Sequence, residues 1–395
     1  MIMNTVIIKN VNAVLCDGVA NCVDVLLTDG KINRIDKSIK IDDAETIDGE
    51  GKYLFPGFVD MHVHGGGGAD FMDGSLISFE TAVKAHLSCG TTMLAPTALT
   101  SSKEELINVV KAYSEFADKS DYAECTCGIH LEGPYFSNIN NKSKGAQSGG
   151  FIRDIDFGEI NELLTLADGN IVRWDAAPEI DHSDEFARIM LNNGVLCCVA
   201  HTNATAEQAQ AAFDCGFSHI THFYNATTAY MKRDQNVTAG VVEATYLNDN
   251  VTVELICDGR HIPKACLQLA LKVKGADNVA GITDATRIAE TDLQGGKLGS
   301  EANGTYVIVD DGVAKLPDLS SYAGSICTMA KALKVLCVDY DIDVVTASKM
   351  LSTTPARLMH IDDKVGSIQV GKNADLVLVD KAFSVCCVLK NGKKI

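Results

Sequence analysis

Short apolar runs recur along the middle of the chain. They read GFVDMHVH (57–64), TTMLAPT (91–97), CGIHLEG (127–133), IVRWDAAPE (171–179), VLCCVAHT (195–202), HITHFYNA (219–226), TVELICDG (252–259) and VAGITDAT (279–286). Near-continuous apolar runs of this length suit strands buried on both faces. Several intervening stretches carry apolar residues at helical spacing and end in glycine, as in SFETAVKAHLSCG and TAEQAQAAFDCG. Eight strand–helix units in succession predict an α/β protein with a (β/α)8 TIM-like barrel, with one extra helical stretch near ICTMAKALKVLCV.

The two ends follow a different pattern. NTVIIKNVNAVLCD, CVDVLLTDGKINRID and AETIDGEGKYLFPG place β-branched residues between Asp-Gly and Gly-Glu-Gly turns. GSIQVGKNADLVLVD and VCCVLKNGKK repeat that character near the C-terminus, where Asn391-Gly392 marks a hairpin. The expectation is a small β-sandwich built from both termini. Residues 1–55 and 362–395 would form it, and residues 56–361 the barrel.

Composition narrows the partners. A net charge of −18 opposes nucleic acid and anionic membranes as general partners. No run of about 18 uncharged apolar residues suggests a membrane span, and the first residues lack a secretory pattern. The fourteen cysteines fall in apolar runs without a Cys-x-x-Cys pair, which predicts free, buried thiols and a cytoplasmic setting.

Chemistry in a barrel gathers where the strands end. His62 and His64 alternate along the first strand and so face one side. Glu132 ends the third run, His201 the fifth and His222 the sixth. Asp258 and His261 follow the seventh, and Asp284 ends the eighth. These N and O donors suit a divalent cation. Glu179, at the end of the fourth run, reads as structural. His86 and His130 read as packed or hydrogen-bonded, His182, His219 and His360 as isolated, and Trp174 as a rim residue.

The motifs GIHLEGPY (128–135), KGAQ (144–147), HTNAT (201–205), THFYNA (221–226), DGRHI (258–262), GITDAT (281–286), YAGS (322–325) and GSIQVGKNADLVLVD (366–380) resemble the amidohydrolase superfamily. More closely, they resemble its N-acetylglucosamine-6-phosphate deacetylases. The resemblance spans almost the whole chain. It implies metal-dependent hydrolysis of the acetamide of N-acetyl-D-glucosamine 6-phosphate to glucosamine 6-phosphate and acetate. The alternatives are the galactosamine epimer, or another amidohydrolase reaction on a cyclic amide. It also implies a small phosphosugar substrate, a homodimer, and one or two divalent cations per subunit. Zinc leads among these, with iron and manganese as alternatives. Glu132 stands where many superfamily members carry a bridging lysine. By resemblance Glu132, His201 and His222 hold one cation, and His62, His64, Glu132 and Asp284 a second.

Asp284 would be the catalytic residue, taking a proton from water and passing it to the leaving amine. Ala146, Gln147, Asn225, Ala226, Arg233, His261, Tyr322, Ala323 and Gly324 would bind substrate. His261 or Gln147 would steady the oxyanion, and Arg233 with the Asn225–Ala226 backbone would bind the phosphate. The family's Arg-x-Pro-Gly run has no match here; NATTAYMKRDQN occupies that place.

Overall fold

The computed structural model describes residues 5–233 and 235–395; the side chains of Asn141 and Arg233 lie outside that description. Eight parallel strands form the barrel in chain order: Phe58–Val63, Thr91–Ala98, Ile129–Glu132, Ile171–Ala176, Leu196–Val199, His219–Ile220, Thr252–Ile256 and Val279–Ile282. Seven lie within the runs read from the sequence, and the second extends one residue past its run, to Ala98. The sixth is only two residues long, so His222 sits beyond it in a turn. The ring closes through the bridge Val63↔Ala285 and the bonds Asp284 N–H to His62 O (3.0 Å) and His64 N–H to Ala285 O (2.8 Å).

The helices follow their sequence signals. In Ala206–Cys215, Thr205 and Gln208 cap each other reciprocally at the start, and Gly216 at φ 123° ends it. Leu76–Ser88 buries Phe79, Ala82, Val83, His86 and Leu87, a spacing that puts them on one face. Met329–Lys334, expected as an extra helical stretch, is the first helix after the eighth strand. An antiparallel sheet of Gly295–Leu298, Thr305–Asp310 and Val313–Lys315 comes before it. That sheet, and the hairpin Met231–Arg233/Asn236–Thr238, lie outside the predicted alternation.

Both termini build one further sheet. Its order runs Lys393–Lys394, Val385–Lys390, Leu376–Val379, Tyr53–Pro56, Thr5–Leu15, Gly18–Thr28 and Lys31–Asp36, with Glu45–Asp48 also pairing on Thr5–Leu15. The termini meet at Leu376↔Pro56 and Val377↔Phe55. Strand alternation divides the side chains between two cores. Leu376 and Leu378 join Val6, Ile8 and Val25 in the sheet's own core. Val377 and Val379 join the main core that surrounds the barrel. The Asn391-Gly392 turn lies between the paired Lys390 and Lys393, with both turn residues at positive φ.

Trp174, expected at the rim, is fully buried. Its Nε1–H donates to Gly133 O (2.8 Å), and it packs against Tyr135 and Phe186. All fourteen cysteines are free; contrary to the expectation of burial, Cys16, Cys22 and Cys386 are exposed. Among the described residues no helix is long and apolar enough to cross a membrane.

One buried ion pair ties the terminal sheet to the barrel. Lys390 Nζ donates to Asp375 Oδ2 (2.8 Å) and to Thr92 O (3.0 Å) beneath the second barrel strand. Removing one partner of a buried pair leaves an uncompensated charge and costs about 3–5 kcal/mol. Lys390→Ala is therefore expected to lower the thermal midpoint by several degrees in circular dichroism. Lys381→Ala, at an exposed position, should leave it unchanged.

Candidate active site

The strand ends place two groups of donors side by side. His62 and His64 face the same way, with their Nε2 atoms 3.2 Å apart. Asp284 Oδ1 lies 3.0 Å from His64 Nε2 and 3.6 Å from His62 Nε2. In the second group Glu132 Oε1 lies 2.9 Å from His201 Nε2 and 3.0 Å from His222 Nε2, and those two nitrogens are 3.2 Å apart. Glu132 also spans the groups: its Oε2 is 3.4 Å from His64 Nε2 and 3.8 Å from His62 Nε2. All six residues are buried. His201, His222 and Asp284 hold φ of 46°, 30° and 51°, a left-handed backbone that is uncommon for residues with side chains and recurs at functional sites.

The outer ring nitrogens decide what the inner ones offer. His62 Nδ1 is 2.7 Å from Glu254 Oε1, and His64 Nδ1 is 3.3 Å from Thr97 O. His201 Nδ1 is 2.8 Å from Ser143 O, and His222 Nδ1 is 3.1 Å from Asn225 O. Carbonyls and carboxylates only accept, so each Nδ1 carries the hydrogen. The neutral imidazole then directs a bare lone pair from Nε2 inward. Four lone pairs converge on two carboxylates, and Glu132 Oε2 is buried without a hydrogen-bond partner. Such an arrangement is repulsive until a cation enters, and its N/O donor set fits one.

The electrostatics agree. Burial alone would lower the pKa of His62, but Glu254 and Asp284 outweigh it and hold it well above the usual histidine range. His64 is raised against burial in the same way, chiefly by Asp284. Burial would raise Glu132, yet the neighbouring imidazoles of His201, His222 and His62 keep it well below the usual carboxylate range. Asp284 is likewise lowered against burial, by His62 and His64. The cavity floor thus holds excess negative charge that favours protons or a metal ion.

Above the two groups lies a cavity open to solvent. Of the residues expected to bind substrate, Ala146, Gln147, Asn225, Ala226, His261, Tyr322 and Gly324 line it. Ala323 does not; it is fully buried in the main core between two residues that do. The side chain of Arg233 lies outside the described residues. His261 Nδ1 is tied to Asp258 Oδ2 (2.7 Å), and its ring lies 4.8 Å from that of Tyr322. The Asn225 amide nitrogen is buried and unpartnered. Lys142 also lines the cavity, the one lysine or arginine to do so among the described residues. It was missed, although it stands two residues before the KGAQ motif.

Other residues fall into supporting places. Glu179 accepts from Thr202 Oγ1 and from Asn203 N–H, fixing the loop after the fifth strand. His86 Nε2 bonds Gly65 O (2.9 Å). His130 Nε2 lies 2.9 Å from Asp175 Oδ1. His219, read as isolated, is not: it meets Thr252 Oγ1 at 2.7 Å and Glu254 Oε2 at 3.3 Å. Glu254 and Arg173 carry no motif that marks them in the sequence. Their only signal was a charge inside a mostly apolar strand.

The amidohydrolase family model matches residues 53–395. The N-acetylglucosamine-6-phosphate deacetylase of Lysinibacillus sphaericus is 32% identical over 395 residues, covering 100% of this chain and 98% of that protein. An N-acetylgalactosamine-6-phosphate deacetylase of Escherichia coli O157:H7 is 27% identical over 336 residues, covering 85% of this chain and 86% of that protein. The crystal structure of N-acetylglucosamine-6-phosphate deacetylase from Pasteurella multocida superposes with a TM-score of 0.91 at 28% identity, over 99% of both chains. Fold, site and relatives agree that the chain is an enzyme of the amidohydrolase family, in the branch of the N-acetylglucosamine-6-phosphate and N-acetylgalactosamine-6-phosphate deacetylases.

Proposed function

We propose that the protein hydrolyses the acetamide of N-acetyl-D-glucosamine 6-phosphate, releasing acetate and glucosamine 6-phosphate, as a step in amino-sugar breakdown. The observation that carries this reading is the convergence of four histidine lone pairs on Glu132 and Asp284 at the floor of an open cavity. The glucosamine epimer is favoured because relatives that act on it match this chain at up to 32% identity. The galactosamine epimer is the second reading, favoured by relatives of comparable coverage.

Glu132, His201 and His222 would hold one divalent cation, and His62, His64 and Asp284 with Glu132 a second. Zinc suits this donor set. When bound, such a cation supplies Lewis acidity and lowers the pKa of water from 15.7 toward about 7. Asp284, ionised and facing the cavity, accepts the proton of the water that attacks the acetyl carbonyl. It then returns that proton to the amine nitrogen as the C–N bond breaks. His261, oriented by Asp258, or the Gln147 amide supplies a hydrogen bond to the carbonyl oxygen as charge builds there.

Lys142, the unpartnered amide of Asn225, the Ala226 backbone and Arg233 receive the phosphate. A chain of net charge −18 repels a phosphate at long range, so a concentrated local cation is required. We further infer a cytoplasmic homodimer. The family resemblance supports the dimer, and the fourteen unbridged cysteines support a reducing compartment.

Replacing Glu132 by Gln is expected to weaken metal retention and abolish turnover; elemental analysis and an assay of released amine check both. Asp284→Asn should cut kcat by at least about a hundredfold, the lower end for general acid–base catalysis. Wild-type turnover in that variant would reject the shuttle. Arg233→Ala and Lys142→Ala should each lower kcat/KM for the phosphorylated substrate. A lost charge-assisted bond costs about 1.5–3 kcal/mol, or roughly tenfold to a hundredfold. Neither should change hydrolysis of the unphosphorylated N-acetyl sugar. Comparing glucosamine and galactosamine forms of the substrate decides the epimer.

A further inference from the structure

Beneath the two donor groups lies a buried network that the proposed chemistry does not use. Glu254 sits in the middle of the seventh strand, between Val253 and Leu255, and is fully buried. Its Oε1 accepts from His62 Nδ1–H (2.7 Å) and from the backbone N–H of His222 (3.1 Å). One oxygen therefore holds a histidine from each group. His62 is also the only one of the four imidazoles whose Nδ1 rests on a carboxylate; the other three rest on backbone carbonyls.

Arg173, fully buried in the fourth strand, holds Glu254 in place. It bonds both carboxylate oxygens, Nη1 to Oε2 and Nη2 to Oε1 (2.9 Å). Its remaining donors go to Met61 O (3.2 Å), Thr221 Oγ1 (2.7 Å) and Asp175 Oδ1 (3.3 Å). All five guanidinium N–H groups thus have acceptors, and the fork cannot turn without losing several. Burying such a pair carries a heavy desolvation cost, and well-packed apolar side chains of similar volume serve stability as well or better. A purely structural demand does not call for charges here. A histidine that must present a fixed lone pair does, because a carboxylate on the far nitrogen sets the tautomer, the ring orientation and the ligand basicity.

We propose that Glu254, clamped by Arg173, is the positioning residue that aims His62 at a cation held by His62, His64 and Asp284. The proposal rests on the metal-dependent reading above. It makes the first-strand pair a working second cation site.

The test is stepwise zinc binding to the metal-free full chain, followed by competition with a chelator. Wild type should take up two ions per chain. Glu254→Gln should keep the tighter step and weaken the other by about 10–100-fold, the range for such outer partners of metal ligands. Arg173→Lys keeps the charge but loosens the clamp; it should give a smaller loss in the same step and covers the case in which Glu254→Gln fails to fold. His62→Asn should abolish that step. In the His62→Asn background, Glu254→Gln should then change the remaining affinity no further, because its effect runs through His62. Unchanged stepwise affinities in Glu254→Gln would overturn the proposal. So would equal weakening of both steps, an additional loss in the double variant, or uptake of only one ion by wild type. A wild type that binds no zinc would instead reject the metal-dependent reading itself.

Discussion

The barrel closes where its chemistry would take place. Strands one and eight share no continuous ladder; they meet through a single bridge and the bonds Asp284 N–H to His62 O and His64 N–H to Ala285 O. The backbone of His62, His64 and Asp284 is the seam of the ring. Closing the barrel and assembling the donor group are one event. Any shift of the eighth strand that loosened the closure would also separate the carboxylate from the imidazoles.

That seam stands on an unusual floor. Most barrel interiors are filled by branched apolar side chains. Here Arg173, Asp175, His130, His219 and Glu254 occupy the layer below His62, all fully buried. Bonds within the layer are dense: Thr221 Oγ1 donates to Asp175 Oδ2 (2.8 Å), and Arg173 spends its donors on Glu254, Asp175, Thr221 and Met61 O. A partly satisfied network would be worse than an apolar core, because an unpaired charge in this layer carries its full desolvation cost. The positive φ at His201, His222 and Asp284 adds local strain of about 1–3 kcal/mol each. The surrounding core of Trp174, Tyr135, Phe186 and the strand side chains must offset both.

Outside the ring, the terminal sheet works as a second anchor. Its alternate residues feed two cores, and the Lys390–Asp375 pair reaches the backbone of the second strand at Thr92. The cavity mouth is built differently, from loops and short elements. The segment holding Lys142, Ala146 and Gln147 forms one wall, the turn at Asn225 and Ala226 another, and Tyr322 and Gly324 follow the small sheet after strand eight. A rigid ring presents the donors while loops shape the substrate space, the usual division of labour in this architecture.

The eight strands, their order and the donors at their ends were legible in the sequence because burial on both faces writes a long apolar run, and because His, Glu and Asp at such run ends are conspicuous. The Asn391-Gly392 turn and the glycine that ends Ala206–Cys215 were legible for a similar reason: their physics is local. What escaped was non-local. Glu254 and Arg173 are 81 positions apart, and a charge in a mostly apolar strand does not name its partner. His219 looked isolated because its partners, Thr252 and Glu254, lie on the neighbouring strand and become adjacent only when the sixth strand pairs with the seventh. Lys142 gained a place at the cavity, and Ala323 lost one, through loop paths that no periodicity encodes. Sequence alone determined which donors were available and which end of the barrel they would share. Tertiary structure decided which nitrogen of each imidazole faces inward, because that choice depends on acceptors brought from distant strands and loops.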